Sequence, residues 1–231
     1  MSLEAAVAEL NSKSSKYTVA SVAEFNWNVA KNRMLCVAPS TSALTVGGVC
    51  QTPSVAMGVT KDAPNKLVVD LPAGDYWALD INTNDPDKFF AFTAAGADTG
   101  NVMPESDATL RAVQDTTWAN NPASIPNKGL MTFKNKASQN HFIVMYKLKK
   151  GMTYQDFKKW FASSMDGPPS GPSPVNFEVG MDSGALSPGH SATFKYNLPK
   201  GDYVMLCFWP DASMGGMPHA FMGMTRGITL K

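Results

Sequence analysis

The 231-residue chain has little cysteine and little histidine, three of each. Three cysteines cannot build the dense disulfide framework of a small secreted scaffold, and a chain of this length can bury an adequate core without one. An excess of charge of either sign is also missing. The formal net charge is +1 and charged residues make up 17%, so the footprint expected for nucleic acid or an acidic membrane surface is absent. No apolar run approaches the roughly 20 residues of a membrane span. The sequence contains no H-E-x-x-H, C-x-x-C, Walker loop, G-x-G-x-x-G or G-x-S-x-G motif, which removes the commonest metallopeptidase, redox, nucleotide and hydrolase signatures. Acidic pairs such as Asp85 and Asp87 in "TNDPDK" read as turn formers rather than a general acid and base.

What is present is 18 Gly, 16 Pro and many short Val/Thr/Phe/Tyr runs between turn residues, a pattern that predicts an all-β sandwich or barrel. "KLVVDLPAGDYWALDIN" (66 to 82) and "ATFKYNLPKGDYVMLCF" (192 to 208) share L-P-x-G-D-Y-x-x-L. Each reads as a strand, a Pro/Gly turn and a second strand. The repeat predicts two β-sandwich domains of similar plan, 1–105 and 106–231, with the boundary in the small, polar "AAGADTGNVMPESD". Aligning the repeats sets Asp80 where Cys207 stands.

In the second domain, 129–135 and 140–148 read as strands, with Phe142, Val144, Tyr146 and Leu148 on one face at period two. One helix follows. Thr153 is its N-cap with Asp156 three residues on, Met152 and Phe157 form a hydrophobic staple, and Phe157, Trp160 and Phe161 lie on the side that packs on the sandwich. "SSMDGPPSGPSP" (163 to 174) is a proline-rich linker. Trp27, Trp77, Trp118 and Trp209 read as core aromatics rather than a carbohydrate-stacking set.

The ligand-type residues of the second domain fall near strand ends. His141 opens a strand, Cys207 ends another, and His219 and Met224 bracket the approach to the last. Strand ends at one edge of a sandwich bring distant residues together. Two imidazoles and a thiolate in a plane, with a weak axial thioether, form the donor set of a blue-copper centre. Three histidines in all cannot supply a second, catalytic copper as well, so the chain reads as a non-enzyme. Other readings of the same residues stay open. Cys207 also suits a buried core position and His141 a hydrogen-bonded strand edge. Met214, Met217, Met222 and Met224 suit either a soft Cu(I) site or an adaptable apolar contact surface. His190, in the turn of "SPGHSATF", receives no role.

The order His141, Cys207, His219, Met224, with P-x-G-D-Y before the Cys strand and "HAFMGM" after it, resembles the cupredoxins, the family of plastocyanin, azurin and the copper domains of nitrite reductases. The ending "PGHSATFKYNLPKGDYVMLCFWPDASMGGMPHAFMGM" also resembles a group of exported bacterial proteins. The resemblance covers roughly residues 107 to 231 and implies a Greek-key sandwich with one inserted helix. It implies one copper ion held by His141, Cys207, His219 and Met224, with Met222 as a nearby substitute for the last. It further implies electron transfer or copper handling with a redox or copper-handling partner protein. Eleven residues separate Cys207 from His219, longer than the usual ligand loop of electron-transfer cupredoxins. The alternative function is a metal-free extracytoplasmic interaction module with the Met-rich loop as its contact surface.

The chain is expected to be secreted or periplasmic, with an export signal removed and replaced by the short "MSL" leader. Cys36 and Cys50, flanking "VAPSTSALTVGGV", are either a disulfide in an oxidising compartment or two core thiols.

Overall fold

The computed structural model describes residues 22–27, 35–39, 55–57, 65–70, 74–80, 90–94 and 103–231 except positions 119, 166 and 184. Cys50, Asp85 and Asp87 lie outside these residues. The fold is all-β. In chain order the strands are β1 (Val22–Trp27), β2 (Leu35–Pro39), β3 (Val55–Met57), β4 (Asn65–Asp70), β5 (Gly74–Asp80), β6 (Phe90–Ala94), β7 (Ala108–Ala112), β8 (Ser124–Ile125) and β9 (Lys128–Asn135). They continue with β10 (Val144–Leu148), β11 (Val175–Asp182), β12 (Ser191–Asn197), β13 (Gly201–Leu206), β14 (Pro210–Asp211), β15 (Met217–Pro218) and β16 (Thr225–Leu230). Among the described residues the α-helix is α1 (Tyr154–Ala162).

Two five-stranded sheets, β1-β4-β12-β9-β7 and β11-β10-β13-β16-β8, are built mainly from the second half of the chain, with β1 and β4 contributed by the first; a four-stranded sheet, β3-β2-β5-β6, lies wholly in the first half. Pairing is antiparallel except for β7 with β9 and β8 with β16. One core joins the two large sheets. Leu110, Met131, Phe133 and Phe194 come from the first, and Met145, Tyr203, Met205 and Ile228 from the second. The other face of β10 and β13 forms a second core with α1, in which Val144, Leu148, Val204 and Leu206 meet Phe157. The period-two set is thus found on one face, with Phe142 and Tyr146 packed against this same core. Both faces of β13 are covered, which is why its run "YVML" is continuously apolar.

Helix α1 starts where the capping residues predict. The Thr153 hydroxyl accepts the Asp156 N–H at 3.2 Å, and the Asp156 carboxylate accepts the Thr153 N–H at 2.9 Å, so two otherwise orphaned amides are satisfied. Burying Phe157 contributes roughly 1.5–3 kcal/mol. The expected staple is not formed: Met152 is exposed, and the ring of Tyr154 stacks over Phe157 instead, with centroids 6.4 Å apart.

The repeat appears as two matching strand–turn–strand units, β4-β5 and β12-β13, in each of which the turn carries the chain from one sheet to another. Their first strands pair with each other, Ala192 with Val69, Thr193 with Val68 and Phe194 with Leu67. Leu67 and Phe194 are equivalent positions of the repeat, so each is partnered by its own counterpart. Antiparallel pairing centred on equivalent residues makes this contact locally two-fold.

Candidate metal centre

Cys207 follows directly after β13 and continues its inward alternation of Tyr203 and Met205 toward the inter-sheet core. Its amide donates to the Met224 carbonyl at 3.3 Å. His141 comes three residues before β10, in an isolated bridge with Leu186. The strand expected from residue 140 begins at Val144 because the Ile143 amide bonds the Ser183 hydroxyl at 2.8 Å rather than a neighbouring backbone carbonyl.

The stretch between Cys207 and His219 is folded on itself. Strands β14 and β15 pair as a small hairpin, Pro210 with Pro218 and Asp211 with Met217. The His219 amide closes its base by bonding the Trp209 carbonyl at 2.9 Å. Asp211 anchors the turn, its Oδ1 accepting the Ser213 amide at 2.8 Å and hydroxyl at 2.6 Å. The extra length therefore leaves as a hairpin, and His219 returns beside Cys207. From His219 the chain makes a tight turn in which the Met224 amide donates to the His219 carbonyl at 2.9 Å. Gly223, at φ 109°, supplies a backbone conformation that other residues reach only with strain.

Sulfur and nitrogens converge. Cys207 Sγ lies 3.5 Å from His141 Nδ1 and 3.9 Å from His219 Nδ1, and the two Nδ1 atoms are 3.2 Å apart. A point equidistant from three atoms so spaced lies about 2.1 Å from each, within the roughly 2.0–2.3 Å of metal–imidazole and metal–thiolate bonds. All three residues are fully buried. Two imidazole nitrogens and a cysteine sulfur converging at this spacing in a buried site are a donor set that fits a thiophilic metal ion. Met224, likewise buried in the core that holds Cys207, is fixed to both neighbours by its backbone.

Burial governs the titration of the cluster. It pushes the Cys207 thiol up to about 12, against the pull of the Phe142 and Trp209 amides. Burial, then the neighbouring His219, lowers His141 to about 4, while Asp115 opposes the shift. His219 is also lowered by burial, with Asp211 and Asp115 opposing. Both imidazoles are therefore neutral near pH 7 and available as ligands.

Behind the histidines lies a polar shell that the sequence reading missed. Asp115 Oδ1 accepts the Ser138 amide at 2.8 Å and the Gln139 amide at 3.1 Å, and lies 3.9 Å from His141 Nε2. Burial raises the Asp115 carboxyl, but its bonds to Ser138 and Gln139 outweigh this and lower it overall. The Gln139 side chain spans His219 Nε2 at 3.2 Å and Asp211 Oδ2 at 2.9 Å. Asp211 is held down at about 2 by the Ser213 hydroxyl and then by Gln139. His141 Nε2 has no hydrogen-bond partner. Trp118 reaches the site from a loop, its indole N–H bonding the Met224 carbonyl at 3.0 Å. The available signal was slight, since "SQNH" and "QDTTW" resemble ordinary turns. The loop methionines divide: Met214 and Met217 are exposed on the hairpin, whereas Met224 is buried.

No protein-family model and no curated protein matches the chain. Among solved structures, it is similar to a dithionite-reduced auracyanin of the photosynthetic bacterium Roseiflexus castenholzii, with 22% identity, 54% of this chain and 95% of that chain covered, and a TM-score of 0.34. Auracyanin B matches at 15% identity over 56% of this chain and 93% of that one, with a TM-score of 0.32. A copper nitrite reductase of Nitrosomonas europaea matches at 12% identity over 92% of this chain and 81% of that one, with a TM-score of 0.27.

Proposed function

We propose that residues 106–231 form a cupredoxin-like domain in which His141, Cys207 and His219 would hold one copper ion, with the Met224 thioether as a further, weaker donor. In this reading the chain is an exported carrier, without catalytic activity of its own, that serves electron transfer or copper handling with a redox or copper-handling partner. Residues 1–105 are the accompanying sandwich. The observation that carries the reading is the buried triangle of two Nδ1 atoms and one Sγ.

Bound copper would supply one-electron exchange between Cu(II) and Cu(I). The chain's own residues do the rest. Cys207 gives up its proton to become the thiolate ligand. The β13 end, the Leu186 bridge and the hairpin base hold the three donors in place before the ion arrives, so that little protein rearrangement accompanies a change of charge. The surrounding core keeps water away from the sulfur. Among the described residues, no helix is long and apolar enough to cross a membrane.

Addition of Cu(II) to the purified protein is expected to produce an intense thiolate-to-copper absorption band at one copper per chain, lost in Cys207→Ser. A colourless protein that takes up no copper would refute the proposal. It would favour instead the contact-surface reading, which the exposure of Met214 and Met217 supports.

A further inference from the structure

Gln139 touches neither the sulfur nor the metal-facing nitrogens, yet it stands between both histidines and two carboxylates. Its side-chain Nε2 donates to Asp211 Oδ2 at 2.9 Å, its Oε1 faces His219 Nε2 at 3.2 Å, and its backbone amide donates to Asp115 Oδ1 at 3.1 Å. We propose that Gln139 is the positioning residue of the metal centre: its amide, oriented by Asp211, fixes the proton of His219 on Nε2 and leaves the Nδ1 lone pair facing Cys207 and His141.

The argument is one of donors and acceptors. A carboxylate offers only acceptors, so the NH₂ of Gln139 must face Asp211. Its oxygen then faces the imidazole, and an amide oxygen can only accept. His219 Nε2 must therefore carry hydrogen, and a neutral imidazole carries one, so Nδ1 is bare. Nδ1 is the atom 3.2 Å from His141 Nδ1 and 3.9 Å from Cys207 Sγ. Asp211 can impose this order because its other oxygen is anchored by the amide and hydroxyl of Ser213. The same Gln139 also steadies, through its backbone amide, the Asp115 carboxylate that is 3.9 Å from the unpartnered His141 Nε2. Partners of this kind behind a ligating histidine set its tautomer and ring orientation.

The consequence for copper rests on the metal reading above; the tautomer does not, and the test separates the two. In metal-free protein with ¹⁵N-labelled histidine at neutral pH, the nitrogen shifts of His219 are expected to report the Nε2–H form. Gln139→Leu, of similar volume, should release the ring to a mixture of tautomers and weaken Cu(II) binding by about 10–100-fold, measured by competition with a chelator. Circular dichroism should show the fold intact. Gln139→Glu alone sets two carboxylates together and should also weaken binding. Combined with Asp211→Asn, which restores a donor to the exchanged pair, it should recover wild-type affinity and the Nε2–H form. An Nδ1–H form in wild type, or a Gln139→Leu protein that keeps both tautomer and affinity, would overturn the proposal. The expected tautomers in a protein that binds no copper would uphold the role of Gln139 in orienting the ring and refute the copper reading alone.

Discussion

At the scale of residues, protons and a metal ion compete for the same three atoms, and burial sets the terms. Cys207 is pushed to about 12 while His141 is lowered to about 4. At neutral pH the thiol alone must therefore lose a proton on binding. Apparent copper affinity is expected to rise about tenfold per pH unit between about pH 6.5 and 8.5, with one proton released. Chelator competition at several pH values gives that slope; a flat profile would mean that the thiol is not a ligand. The metal-free fold has its own pH dependence. Between His141 at about 4 in the native state and an ordinary histidine at about 6.5 in the unfolded chain, the unfolded state binds the extra proton. Stability from this residue is thus fully present above about pH 6.5 and lost as pH falls toward about 4, a difference on the order of 3 kcal/mol. Urea unfolding of metal-free protein at pH 7.5, 5.5 and 4 is expected to show the decline.

Elements deliver these residues, and the turn from His219 to Met224 is the most constrained of them. Gly223 has a φ of 109°, and a side chain there would meet nothing closer than the Thr116 carbonyl at 3.9 Å. The penalty for Gly223→Ala is therefore conformational rather than steric, about 1–3 kcal/mol, readable as a lower urea midpoint with an unchanged slope. An unaltered midpoint would mean that the turn relaxes freely. This turn was legible in part, since the spacing of "HAFMGM" marked His219 and Met224 without giving the backbone geometry. The helix was more fully legible because Thr153 and Asp156 act locally and its apolar side follows a fixed period. So was the pairing of Cys207 with strand β13, where continuous apolar residues signal a strand covered on both faces. Gln139, Asp115 and Asp211 were not legible. Their role depends on which distant groups the fold brings to them, and a polar residue in a turn looks the same with or without that company. The hairpin inside the ligand loop was hidden for a related reason: Pro210, the Gly215-Gly216 pair and Pro218 read as punctuation, and the two short strands between them carry no alternation.

Over the whole molecule, the repeat does more than duplicate a strand–turn–strand unit. Strand β4 pairs with β12 through Leu67 and Phe194, equivalent positions in the two copies, and the resulting sheet joins strands from either side of residue 105. A pairing edge that accepts its own counterpart in one chain is suited to accept it from another, because the backbone groups along β12 are self-complementary about Phe194. Residues 103–231 carry the donor triangle and, among the described residues, the buried core between the two large sheets. A fragment of those residues is therefore expected to fold, but with the β12 edge uncovered where β4 would lie. The expected outcome is a dimer, with Thr193 of one copy opposite Lys195 of the other, that takes up one copper per chain. Light scattering of the fragment and of the full chain at matched concentrations measures this. A fragment that remains monomeric would show that β4 does not protect a self-pairing edge.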